Sequence, residues 1–222
     1  MTPSAMEDVL APGGVALCVI DIQVDFAAPD GALGRIGVPV QQTTAAIGNA
    51  ARLVGAARSA GVPVFFIGLK TDPATDSATW IKWMRYRGVD PDAACAVCRD
   101  GSGGDDFYQV LPRDGDQIVW KRRYSAFAGT DFDARLRELR IDTLVICGLT
   151  TECCVDSTVR DAFQRDWLVV VAGDACAAYR DDLHCHTLEV LEESFAIILD
   201  TDEIAAKWDR TMKKDSSNGV KF

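Results

Sequence analysis

Six short, almost uniformly apolar runs, separated by stretches of helical periodicity, constrain the fold of this chain more than any other feature of its sequence. They lie at Ala16 to Ile20, Val62 to Ile67, Gln117 to Trp120, Thr143 to Cys147, Leu168 to Ala172 and Ala196 to Leu199. A strand with one face in water alternates apolar and polar residues, whereas one covered on both faces reads as a continuous apolar run. Helical spacing fills the intervals at Gln41 to Ala60, Asp131 to Arg140, Cys154 to Arg165, Asp181 to Ser194 and Thr201 to Met212. Strands alternating with helices predict an α/β domain, three layers in α/β/α order, around a six-stranded and mainly parallel sheet. Thr130-Asp-Phe-Asp133 should open its helix as a capping box, and Gly61 with Pro63 should end the first helix.

At 222 residues, 48% of them hydrophobic, the chain suits one well-buried domain better than two. Residues 1–222 are read as one unit with a core from about 14 to 212, an insertion or lid at 70–115 and a frayed polar tail at 213–222. The net charge of −10 argues against nucleic acid and acidic membrane as partners, and the main basic cluster, Lys121 to Arg123, is confined to one strand end. No run of about eighteen apolar residues is present, and Met1 to Pro12 lacks the basic and apolar regions of a signal peptide, so a cytoplasmic location is expected. The eight cysteines are accordingly read as reduced thiols, with Cys18 and Cys147 in the core. Cys95-Ala-Val-Cys98 and His184-Cys185-His186 have ligand-like spacing, but a zinc site would need a loop and a helix to converge, and unrelated core and surface residues are the favoured reading.

The chemistry concentrates in Gly148-Leu-Thr-Thr-Glu-Cys-Cys-Val-Asp-Ser-Thr158, where an apolar strand enters a Gly/Thr turn that presents two thiols at the start of a helix. Val155, Val159, Ala162 and Phe163 carry that helix forward. A cysteine at a helix N-terminus meets the positive end of the macrodipole and free backbone N–H groups, which favours thiolate and offers an oxyanion site. Two other strands end on chemically useful residues, Ala16 to Ile20 on Asp21 and Gln117 to Trp120 on Lys121. In an open parallel sheet the carboxyl ends of the strands line one crevice, so these groups should meet there. Alone, each has a bland reading as a cap, a surface charge or a small buried hydrophobe; in this combination the bland reading loses ground.

In order and spacing, the strand ending in Asp21-Ile-Gln-Val-Asp-Phe26, the strand ending in Lys121, and Gly148 to Val155 with Thr158, Asp161 and Ala162 resemble the isochorismatase-like cysteine hydrolase family. The resemblance covers roughly residues 14–200. It implies a Rossmann-like strand order of 3-2-1-4-5-6, Cys154 as nucleophile, Asp21 as acid and base, and Lys121 as orienting cation. It further implies an oxyanion hole from the N–H groups of Thr150 and Cys154, and a cis peptide between Leu149 and Thr150. No cofactor is implied. No metal is implied either, because the Asp-x-His cluster of nicotinamidase-like members is missing and the only histidines, His184 and His186, lie far downstream.

The motifs are most similar to the ureidoacrylate, biuret and N-carbamoylsarcosine amidohydrolase group, which implies a small carbamoyl or ureido amide as substrate and ammonia or an amine as product. The alternatives are a hydrolase of another amide or lactam class and an inactive binding member of the fold. Phe26, Gln23, Trp80, Tyr124 and Phe127 are the candidate substrate-binding residues, and Cys153 is a spare thiol beside the nucleophile. The cluster from Trp80 to Arg87 is too aromatic to leave in water, and family members usually form dimers or tetramers, so self-association through this segment is expected.

Overall fold

A computed structural model describes residues 9–218, with side chains through Asp209. The strands are β1 (Val15–Ile20), β2 (Val64–Leu69), β3 (Gln117–Lys121), β4 (Thr143–Leu149), β5 (Leu168–Ala177) and β6 (Ile197–Leu199). The principal helices are α1 (Thr44–Ser59), α2 (Ala78–Tyr86), α3 (Pro91–Cys95), α4 (Phe132–Glu138), α5 (Asp156–Phe163), α6 (Asp181–Ser194) and α7 (Thr201–Asn218). All strand pairs are parallel and the order is β3-β2-β1-β4-β5-β6, as the resemblance implies. Every residue of β1 and β4 is buried, which explains their uninterrupted apolar sequences: they are the central pair, covered on both faces. The direction in which successive strands are added across the sheet reverses between them, so the crevice at their carboxyl ends is the switch point of the sheet.

Alternation along β2 assigns the layers. Arg58 of α1 lies over Phe66, while Phe132 and Arg135 of α4 pack on Phe65, so α1 and α4 cover opposite faces. α7 packs with α1, and α5 and α6 complete the other layer. The tail expected at 213–222 falls partly outside the described residues, helix α7 being assigned to Asn218.

Several local expectations are corrected. β5 continues five residues beyond Ala172, because Gly173 and Asp174 do not end it. A register irregularity against β4 absorbs them, and the Asp174 carboxylate turns out to accept from the N–H and hydroxyl of Thr201 at the start of α7. β2 begins at Val64 rather than Val62, after Pro63. Thr130 does not form a capping box. Its hydroxyl donates to the Ala126 carbonyl and accepts from Phe132 N–H two residues on, and Asp131 takes the N-cap position without a side-chain bond. Helix α1 does stop as expected, at Ser59, with Gly61 at φ +71°.

The insertion is clasped to the body by the residues that follow Asp21. The Asp25 carboxylate accepts from the N–H of Cys98 at 2.7 Å and of Ala32 at 2.8 Å. Gln23 donates from Nε2 to the carbonyls of Leu69 and Asp105, at 2.8 and 2.7 Å, and accepts from Leu69 N–H at 2.8 Å. Gly104 passes so close to Asp25 that a Cβ there would lie 2.2 Å from its Oδ2. Gly104→Ala should therefore loosen the insertion without unfolding the sheet, and we expect proteolytic cleavage confined to 70–115 at temperatures where the wild type resists.

Candidate active site

Asp21, the residue immediately after β1, has a left-handed backbone at φ +49°, a conformation that a non-glycine residue adopts at some cost and that is common where a side chain must be aimed. Its N–H still pairs with the Ile67 carbonyl, so the strand ends on it. Its side chain is buried and accepts from Lys121 Nζ at 2.8 Å through Oδ2, while Oδ1 is buried without a hydrogen-bond partner. Lys121, the last residue of β3, is fully buried; its Nζ also donates to the Arg123 carbonyl at 3.1 Å and to Cys154 Sγ at 3.4 Å. Three strand ends thus bring a carboxylate, an ammonium and a thiol together.

The thiol sits in a tighter element than a simple helix start. Residues Thr151–Val155 form one π-helical turn before α5, and the Leu149–Thr150 peptide is cis. Gly148, at φ +125°, makes the approach possible: a Cβ there would lie 2.0 Å from the Ile20 carbonyl oxygen of the neighbouring strand. The Thr150 carbonyl accepts from the N–H groups of Cys153 and Val155. Gly148→Ala should cost about 3 kcal/mol or more, from strain and collision together, read as a lowered thermal midpoint.

The electrostatics correct one expectation. Cys153 beside it, then burial, then the Asp21 carboxylate push the Cys154 thiol up, while Lys121 pulls it down, so the surroundings favour the thiol over the thiolate. The helix-terminus argument fails here because Cys154 lies buried inside the π-turn, next to a second thiol and a carboxylate. For Lys121, burial would lower the ammonium, but Asp21 and Cys154 outweigh it and hold it above the ordinary lysine value.

The helix that follows steadies the loop after β3. Thr158 donates to the Cys154 carbonyl at 2.7 Å and accepts from Ala126 N–H at 3.1 Å, and Asp161 accepts from the Ser125 hydroxyl at 2.7 Å. The T-x-x-D pattern therefore ties the Lys121 strand to the Cys154 turn.

The proposed substrate-binding residues divide. Trp80 donates from Nε1 to the Tyr124 hydroxyl at 2.8 Å, which ties α2 to the segment that follows Lys121. Phe26 is half-buried, and its carbonyl accepts from the Tyr179 hydroxyl at 2.7 Å. Gln23 is spent inside the protein on the hydrogen bonds already described, and its amide is buried. Phe127 is likewise turned into the core, 4.9 Å from the ring centre of Phe132, with the Arg165 guanidinium over its ring at 5.2 Å.

Tyr179 has no local signal in the sequence, because the apolar run before it reads as ending at Ala172 whereas β5 extends to Ala177. Burial, then Glu152, Asp21, Cys98 and Cys154, push its phenol up. A strand next to β4 must deliver its carboxyl end to the same crevice, and that was the available signal. The ligand-like pairs do not converge: Cys98 Sγ faces the Gly104 carbonyl, His184 Nδ1 lies 2.8 Å from the Thr151 hydroxyl, and His186 Nδ1 meets the Asp182 carbonyl. Among the described residues no group of three or more His, Cys, Asp or Glu side chains is arranged to hold a metal ion.

A parallel sheet of this order with a Cys/Asp/Lys cluster at its switch point is the architecture of an isochorismatase-type hydrolase. The isochorismatase domain model matches residues 15–203, and the chain belongs to the isochorismatase family. Over 204 residues it is 36% identical to the ureidoacrylate amidohydrolase RutB of Methylobacterium radiotolerans, spanning 86% of this chain and 78% of that protein. The crystal structure of a cysteine hydrolase from Pseudomonas syringae pv. phaseolicola superposes with a TM-score of 0.79 at 27% identity, covering 90% of this chain and 94% of the other. N-carbamoylsarcosine amidase from Thermoplasma acidophilum does so with a TM-score of 0.68 at 27% identity, covering 85% and 97%.

Proposed function

We propose that this protein is a cysteine-dependent amidohydrolase that cleaves a C–N bond of a small ureido or carbamoyl compound through a thioester. The observation that carries the reading is the contact of Lys121 Nζ with both Asp21 Oδ2 and Cys154 Sγ, with Asp21 Oδ1 left without a partner. A buried thiol held protonated needs a base, and the free carboxylate oxygen is that base. In the first step Cys154 Sγ bonds to the amide carbonyl carbon as its proton passes to Asp21. The N–H groups of Thr150 and Cys154 receive the oxyanion, a contribution of roughly 3 to 4 kcal/mol per donor. As the C–N bond breaks, Asp21 returns the proton to the leaving nitrogen. Water then attacks the thioester with Asp21 as base, releasing the acid and restoring the thiol. Lys121 remains an ammonium throughout and holds Asp21 in place.

The named relatives act on ureidoacrylate and N-carbamoylsarcosine, and we carry that substrate class to this chain. No helix among the described residues is long and apolar enough to cross a membrane, and all eight cysteines are free, which supports our placing the enzyme in the cytoplasm. The decisive assay is ammonia release across a panel of ureido acids, biuret, maleamate and nicotinamide. Turnover of ureido acids is expected; turnover of nicotinamide alone would overturn the substrate class.

We also propose self-association through α2. Trp83 and Tyr86 stack at 5.5 Å between ring centres while remaining 49% and 82% exposed, an apolar pair suited to a second copy. Trp83→Ala should then weaken association by about 2 kcal/mol, seen by light scattering across a dilution series. An unchanged dissociation profile would make the stacked pair an ordinary surface contact.

A further inference from the structure

The acidic chain distributes its unpaired cations unevenly. Ten described lysines and arginines are salt-bridged to carboxylates. Among the described residues, no carboxylate lies within salt-bridge distance of Lys82, Arg85 or Arg87 in and just after α2, or of Arg122 and Arg123 just after β3. All five are exposed. Of the others without a carboxylate, Arg113 and Arg140 lie at the opposite, amino ends of β3 and β4, and Arg35 donates to the Asp30 carbonyl.

The two unpaired groups belong to one rim. The Trp80 Nε1 to Tyr124 Oη hydrogen bond, 2.8 Å, joins α2 to the segment Arg122-Arg123-Tyr124. Arg87 follows Trp80 by seven residues, two helical turns, and so projects on the same side of the helix. Tyr124 feels both groups: burial first raises its phenol and the Trp80 hydrogen bond lowers it, then the Cys153 and Cys154 thiols act upward and Arg87 downward. A protein of net charge −10 repels anions over most of its surface, so a local group of guanidinium ions without carboxylate partners creates a field of the opposite sign, even though Arg123 also donates to the Arg122 carbonyl at 2.7 Å. Guanidinium is also suited to paired hydrogen bonds with a carboxylate.

From this placement we infer that the rim formed by Arg87, Arg122 and Arg123 recognises a carboxylate at the end of the substrate remote from the scissile amide, so that the enzyme takes ureido or carbamoyl acids in preference to neutral amides. This rests on the proposed role of Cys154, and the test separates the two.

The probes are iodoacetate and iodoacetamide, nearly the same size, one anionic and one neutral. Each is reacted with the full-length protein at low ionic strength, and the alkylation rate at Cys154 is read by peptide mass mapping, with free cysteine as the reference thiol. The ratio of the iodoacetate rate to the iodoacetamide rate should exceed the free-cysteine ratio by about tenfold, and 0.5 M salt should remove most of that excess. Arg87→Gln combined with Arg123→Gln should bring the ratio close to the reference, and Arg87→Glu should take it below. A wild-type ratio at or below that of free cysteine overturns the anion rim while leaving the nucleophile standing, as does an excess that survives both variants. If neither reagent modifies Cys154, the nucleophile reading fails and the rim proposal falls with it. On substrates, the same rim should favour a ureido acid over its methyl ester by about tenfold in kcat/KM, a preference lost in the double variant.

Discussion

Cys154→Ala is expected to abolish turnover, with a loss of at least about 10⁴-fold in kcat, because the sulfur that Lys121 contacts, and that is proposed to form the thioester, is removed. The fold should survive, since the side chain removed is small and the turn is held by backbone bonds to Thr150 and by Thr158 on the Cys154 carbonyl. Steady-state ammonia release and the thermal midpoint, measured together, check both statements. Cys153→Ala should keep most of the activity but change the chemistry of its neighbour. Cys153 is the first cause of the raised Cys154 thiol, so removing it should shift the pH midpoint for alkylation of Cys154 downward. If Cys153→Ala is the dead variant and Cys154→Ala the active one, the register of the Cys-Cys pair is wrong and Asp21 and Lys121 serve a different thiol.

Lys121→Met carries the largest expected stability cost. It leaves the Asp21 carboxylate buried with no counter-charge, and breaking a buried pair in this one-sided way costs about 3 to 5 kcal/mol. For a chain of this length that corresponds to a thermal midpoint lower by roughly 10 °C. Activity should fall with it, because Lys121 orients the base and contacts the nucleophile. The pH dependence has a definite sign. The folded-state pKa of Lys121 is raised, so the stability it contributes is fully present below the ordinary lysine value and is lost only as pH rises through the folded value. The wild type and the variant should therefore differ by a constant amount between about pH 6 and 9, and the gap should close only in strong alkali. If the double variant Asp21→Asn with Lys121→Met recovers most of the lost stability but none of the activity, the cost lies in the orphaned charge, as argued. A single variant as stable as the wild type would mean that Asp21 is not held as a buried carboxylate.

Much of this molecule could be read locally. Parallel strands covered on both faces have no choice but to be apolar throughout, so β1 and β4 announce themselves, and the residue that follows such a strand must lie at the carboxyl edge of the sheet. Asp21, Lys121 and the Cys153-Cys154 turn were legible for that reason: their positions depend on where a strand stops, which a short window of sequence contains. The strand order followed from resemblance and is the order observed.

What the sequence could not hold is which partner each side chain meets. Gln23 looks like a pocket residue because it follows Asp21, yet a distant segment supplies the Asp105 carbonyl that occupies its amide. Phe127 stands six residues after Lys121, but the ring of Phe132 draws it into the core. Tyr179 reaches the site only because β5 runs past a glycine that a local reading takes for its end. The electrostatic surroundings of Cys154 are likewise not local. A helix terminus argues for a thiolate from sequence, whereas burial, a neighbouring thiol and a carboxylate delivered by another strand hold the proton on the sulfur. Secondary structure is set by neighbours along the chain, but desolvation and charge are set by neighbours in space, and only the tertiary structure determines those.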